Sequence, residues 1–200
     1  MFLRCFMKAC VFSSTSPLLC KGVACSWVLC QLVLGCLLLV ICSKITIPLY
    51  PIPVTMQTVG IFLLSIMQGG KKAFCSVLLY LLLVFLGFPV LAIAGSHPFW
   101  WMLPQAGYLI AFPIAAFVVG MMLDIYSRFS LVVLVLSIVT GKCIIYCLGV
   151  LGLMRIMSFE QSMAVGFVPF LPMAVVKIVL LSYFGKLWLH RMKKQRGVLG

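Results

Sequence analysis

The chain has 200 residues, 65% of them hydrophobic and only 8% charged, with a mean hydropathy of +1.29. Soluble domains carry about 25% charged residues, so this composition excludes an ordinary soluble domain and points to a single membrane-embedded one. A net charge of +13 would suggest a nucleic-acid partner in a soluble chain, but here the basic residues cluster between apolar runs, which is the orientation pattern of a membrane protein.

Crossing a bilayer takes about 20 apolar residues. Residues 1–21 contain Arg4, Lys8 and Lys21 and no long clean run; they read as an arm that lies in the cytoplasm or on the membrane surface, with no cleavage site of a signal peptide. The first span is expected over residues 22–41. Gly22, Ser26 and Cys30 recur there at four-residue spacing, a small-residue face that allows close helix approach. The stretch ITIPLYPIPVTMQ, residues 45–57, follows. Pro48, Pro51 and Pro53 fix φ, remove backbone donors and push their predecessors away from helix, so an extended, stiff loop is predicted. Thr55, Gln57 and Thr58 then open the next apolar run. Polar groups at that depth are costly unless they face protein, water or a ligand.

The second span, residues 53–68, is short, so the loop before it is expected to dip into the protein. It stops at Gly69-Gly70-Lys71-Lys72. A third span is expected over 73–94, with Tyr80 as its main polar point. Residues 95–108 contain two prolines and no Lys or Arg, and the adjacent Trp100 and Trp101 suit a membrane interface. The fourth span is expected over 107–123 and the fifth over 131–151, interrupted at Gly141-Lys142. Residues 152–161 read as a polar loop. Pro169 and Pro172 break the last segment, giving a non-regular piece up to Phe170 and a helix from about Pro172 to Lys186. Broken backbone at membrane depth is tolerated only where it is buried in protein or lines a cavity. The expectation is an all-α integral membrane protein: an arm at 1–21, a six-helix membrane domain at 22–190 and a basic tail at 191–200. With six spans, eleven Lys and Arg residues fall on the side of the termini, against Lys44 and Arg155 on the other. That puts both termini in the cytoplasm and the proline and tryptophan loops outside.

Few chemistries are open to this chain. Gly141-Lys142-Cys143 lacks the earlier glycine (position 136 is Leu) and the Ser or Thr after the lysine of a phosphate loop, so no ATP hydrolysis is expected. The two histidines, His97 and His190, lie outside the spans, and neither GxSxG nor HExxH occurs; the chain is not expected to be an enzyme. Ten cysteines form no CxxC pair and read as packing residues, so neither a metal nor a cofactor is expected. What remains is a binding cavity at the outer end, built from Thr55 and Gln57, a Gly107-Tyr108 turn, and Lys177 just past the proline break. Lys177 is either a cavity residue or a snorkelling one. Gln57 either reads an amide or urea group or bonds another helix. Tyr80 and Tyr108 offer a ligand an apolar face with a hydroxyl, or else pack at an interface.

Four stretches in order resemble one family: IPLYPIPVTMQT (47–58), LLYLLLVFLGFPV (78–90), GYLIAFPIAAFVVG (107–120) and PFLPMAVVK (169–177). They are similar to the BioY family, the biotin-binding S components of energy-coupling factor (ECF) vitamin transporters. The resemblance implies a six-helix S-component bundle that captures biotin from outside. Thr55, Gln57, Tyr80, Gly107, Tyr108 and Lys177 would be its ligand residues, and Pro48, Pro51 and Pro53 its lid. By the same resemblance the partners are membrane lipid, a transmembrane coupling protein docked on the Gly22, Ser26 and Cys30 face, and two ATPase subunits, all at the cytoplasmic membrane of a bacterium and without nucleic acid. An S component for another vitamin, or a transporter that works without ECF partners, is the alternative. The chain departs from the family pattern at Met173 and Ala174, where Gly and Asp are usual; at Gln105 and Ala106, within the usual PTGGYL; and at Phe99, Trp100 and Trp101, which replace a glycine-rich run.

Overall fold

A computed structural model describes residues 21–47, 53–92, 98–126 and 130–197, with the backbone alone at 21–25 and 188–197. Its helices are α1 Lys21–Lys44, α2 Gln57–Gln68, α3 Gly70–Phe85, α4 Ala106–Tyr126, α5 Leu131–Leu153, α6 Phe159–Gly166 and α7 Phe170–Gly197. Two short strands, β1 Thr46–Ile47 and β2 Val54–Thr55, and a 3-10 turn at Trp100–Met102 complete it. Among the described residues, four stretches are long and apolar enough to cross a membrane: Ser26–Lys44, Ala106–Tyr126, Leu131–Leu153 and Phe170–Leu187. Helix is the expected state for them, since only a helix satisfies every backbone group of a lone segment in lipid. α2 and α3, with 12 and 16 residues, are shorter than a full crossing.

Several expected boundaries shift, for physical reasons. α1 runs three residues beyond Ile41, because the Lys44 ammonium folds onto the carbonyls of Pro89 and Leu91 at 2.7 and 2.9 Å. The second helix starts at Gln57 rather than Pro53. Residues 54–55 instead pair antiparallel with 46–47, Thr46 opposite Thr55 and Ile47 opposite Val54, which satisfies backbone that prolines bar from helix. The two strands form the base of a β-hairpin, with Pro53 just ahead of β2; Pro48 and Pro51 lie outside the described residues. Gly69, at φ 80°, is the whole connection between α2 and α3, so Lys71 and Lys72 start α3 rather than end α2. α3 stops at Phe85, ahead of Gly87 at φ 85°, well short of Ala94. α5 is continuous through Gly141 and Lys142.

The final segment is more regular than its prolines suggest. Ser158 and Gln161 form a reciprocal cap on α6, a helix that the sequence reading took for polar loop and irregular chain. Only residues 167–169 separate it from α7. Pro172 is accommodated because it falls in the first turn of α7, where the N–H it lacks has no helical partner. Glycine contacts set the packing. A Cβ on Gly120 would lie 2.3 Å from the Gly70 backbone, and one on Gly107 would lie 2.4 Å from the Leu148 carbonyl oxygen. α4 thus touches α3 at one end and α5 at the other, backbone to backbone. Phe62, Val77, Ala115, Val119, Leu134 and Ile138 fill the core between them.

Candidate functional site

Three helix faces, the hairpin and the loop after α3 enclose one cavity. α4 contributes Tyr108, Leu109 and Phe112, with Gln105 just ahead of its first turn; α7 contributes Phe170, Met173, Ala174 and Lys177; α5 contributes Lys142, Ile145 and Tyr146. Each set recurs at three- and four-residue spacing, which is one stripe of a helix. Pro53, Thr55, Gln57 and Thr58 close one side, and Leu91 and Ala92 another. The empty space, counted out to its open mouth, is about 640 Å³. It lies at the end of the bundle where α1 finishes and α2 begins, opposite the Gly69 turn.

Thr55, Gln57, Tyr108, Lys177 and Pro53 all line this cavity. The Lys177 ammonium donates to the Thr55 carbonyl and, at 3.2 Å, to the Thr58 hydroxyl. Lys177 therefore turns inward to the hairpin instead of snorkelling, and ties α7 to β2. Gln57 is occupied within the protein: its amide nitrogen donates to the Tyr80 hydroxyl at 2.6 Å and its oxygen accepts from the Thr55 hydroxyl at 3.2 Å. Tyr80 stands behind the cavity, 1% exposed, and donates to the Val90 carbonyl at 3.0 Å. So placed, it orients Gln57 and pins the loop after α3; it offers a ligand no surface. Gly107 also stays off the cavity. It lies in the first turn of α4, not in a separate turn, with its open side against Gly152 and the Leu148 carbonyl. Its effect is to let α4 approach α5. Tyr108 does reach the cavity, held by a 2.7 Å bond from its hydroxyl to the Gly166 carbonyl and stacked near Phe170.

On α1, Ser26 and Cys30 sit one turn apart on the exposed side, and Gly22 lies a turn before them. Among the described residues, no group of three His, Cys, Asp or Glu side chains gathers where it could hold a metal ion.

Lys142 and Gln105 are among the cavity residues absent from the expected set. Lys142 is 5% exposed, with its ammonium 5.7 Å from the centroid of the Tyr146 ring. A lysine in the middle of a 23-residue apolar helix is the same signal that marked Lys177; here it was read as an interruption. Gln105 is 7% exposed, and its side-chain oxygen is buried without a hydrogen-bond donor among the described residues. An unpaired buried acceptor is costly, so a ligand donor would be favoured there. Only its position in the 104–109 motif hinted at this.

The profile of the BioY family matches residues 19–194. The chain belongs to the BioY family. Among its relatives are the "Biotin transporter BioY" of Thermotoga maritima, 35% identical over 144 residues covering 72% of this chain and 84% of that one. The "Probable biotin transporter BioY" of Pyrococcus horikoshii is 33% identical over 135 residues, 68% of this chain and 79% of that one. The fold is that of a crystal structure of the S-component for biotin from an ECF-type ABC transporter, with a TM-score of 0.74 at 21% identity, covering 88% of this BioY chain and 95% of the other.

Proposed function

We propose that this BioY protein captures biotin in the cavity between the hairpin, α4, α5 and α7, and serves as the substrate-binding subunit for its uptake. The observation that carries this reading is Lys177. It is buried and faces the cavity, and two of its three donors are held by Thr55 and Thr58, leaving one for a ligand acceptor such as a ureido carbonyl. Tyr108 and Phe170 add aromatic surface for an apolar bicycle. The S-component fold and the family of its relatives support the same reading. In this proposal α1, α2, α3, α4, α5 and α7 make six passages through a bacterial cytoplasmic membrane, the two short helices crossing with the help of the loops that flank them. Both termini lie inside, and a coupling protein with two ATPase subunits drives release. The chain itself catalyses no reaction.

Isothermal titration of the purified protein in nanodiscs with biotin, and in parallel with thiamine and riboflavin, tests the ligand. Saturable binding of biotin alone is expected. Binding of another vitamin with biotin silent would transfer the chain to a different S-component specificity.

A further inference from the structure

Two ammonium groups face the cavity, and no carboxylate is among the residues that line it. Lys177 is already engaged by the Thr55 carbonyl and the Thr58 hydroxyl. Lys142 is placed differently. It is 5% exposed, and no described residue gives it a hydrogen bond or an ion pair; its neighbour is the face of Tyr146. That ring is held by a 3.4 Å bond from its hydroxyl to the Phe170 carbonyl and by edge contact with Phe167. The backbone under Lys142 is fixed as well, because a Cβ on Gly141 would meet Val119 at 2.5 Å and Phe62 at 2.7 Å. Lys142 is thus aimed at the cavity by packing on both sides.

A desolvated ammonium is stabilised weakly by an aromatic face and far more by an anion, since a charge-assisted hydrogen bond is short and strong away from water. The usual acid of the α7 motif is Ala174 here, so the cavity's own residues supply no counter-charge. Resting on the reading that biotin occupies this cavity, we propose that Lys142 holds the ligand's carboxylate, so that this site selects the free acid over its uncharged derivatives. Lys177 then addresses a neutral acceptor at the other end of the ligand. The two lysines divide the work: one reads charge and the other reads the ring.

The test compares biotin with its carboxamide, which keeps the ring system and chain but lacks the negative charge. Affinities are measured by titration of the full chain in nanodiscs, for wild type, Lys142→Gln, Lys142→Met and Lys177→Met, each checked by thermal unfolding. Replacing a buried ammonium by a neutral side chain of similar length leaves the fold standing, and the glutamine variant keeps a polar group at the site. Wild type is expected to prefer the acid at least tenfold. Both Lys142 variants are expected to lose that preference and to bind acid and amide alike, whereas Lys177→Met weakens both ligands in parallel. A folded Lys142 variant that keeps the wild-type preference overturns the proposal. So does a Lys177→Met protein that loses the preference, which would move the carboxylate to Lys177. If wild type ignores biotin altogether, the reading of the cavity as a biotin site fails before any variant is compared, and the assignment of Lys142 falls with it.

Discussion

Lys177, Gln57 and Tyr80 each carried two readings in the sequence, and the packing decides between them one residue at a time. Lys177 turns inward because the Thr55 carbonyl and Thr58 hydroxyl wait within reach. Gln57 lines the cavity with its amide bonded to Tyr80, which stands behind it. None of those bonds has a local signature: the partners are 23 residues apart in one case and 122 in the other. The sequence made Lys177 legible because a lysine at membrane depth always needs a reason. It hid the difference between Gln57 and Gln105, because an amide's role depends on which neighbours consume its hydrogen bonds. From this geometry, Lys177→Met is expected to keep the helical bundle, since the stem is matched in length. It should weaken biotin binding by about 1.5–3 kcal/mol, the scale of a charge-assisted hydrogen bond. Titration beside a melting curve measures both. Wild-type affinity in the folded variant would take the ligand contact away from Lys177.

Among the elements, the hairpin is the piece that the sequence described by its effects rather than its form. Three prolines rule out a regular helix across 44–54, and at the hairpin's base 46–47 and 54–55 are extended, although α1 reaches Lys44. The pairing itself was not legible, because two residues per strand leave no alternation to read. α6 was missed for a related reason. Its eight residues carry a capping box of Ser158 and Gln161 but too few apolar positions to declare a face. The hairpin is anchored at its base, by Lys177 on the Thr55 carbonyl and by the Met56 amide on the Ile45 carbonyl at 3.0 Å. Each proline that suits its native φ contributes about 0.4–1 kcal/mol by restricting the disordered alternatives. Replacing Pro48, Pro51 and Pro53 together by Ala should therefore leave the bundle folded and loosen the hairpin, with biotin affinity falling about tenfold, ~1.4 kcal/mol, at the lower end of the ~1.2–3 kcal/mol that three such prolines contribute. Affinity unchanged in the folded triple variant would reduce the hairpin to a connector.

Over the whole molecule, α1 is the helix with one committed face. Gln31, Gly35, Leu39 and Cys42 turn into the bundle, where Gln31 accepts from Lys72 and, through its carbonyl, from Gln68. Ser26, Cys30, Val33, Leu37 and Ile41 form the opposite stripe, all exposed and spaced by three or four residues. That stripe is graded. Ser26 and Cys30 put small side chains on it near the start of the helix, the end opposite the cavity, beside the exposed Trp27 and Leu29, and its side chains are large throughout near the hairpin. In lipid there is no hydrophobic drive between helices, so association depends on close packing, which small residues permit and branched ones prevent. A helical partner would therefore approach α1 most closely at Gly22, Ser26 and Cys30, away from the ligand. Ser26→Leu puts a branched side chain into that approach without touching any residue that lines the cavity. It is expected to leave biotin affinity within twofold of wild type, while recovery of a co-expressed ECF coupling protein with the tagged chain drops several-fold. The two readouts separate docking from capture, because a variant damaged in folding would lose both. Full recovery of the coupling protein with Ser26→Leu would remove this face of α1 as the docking surface.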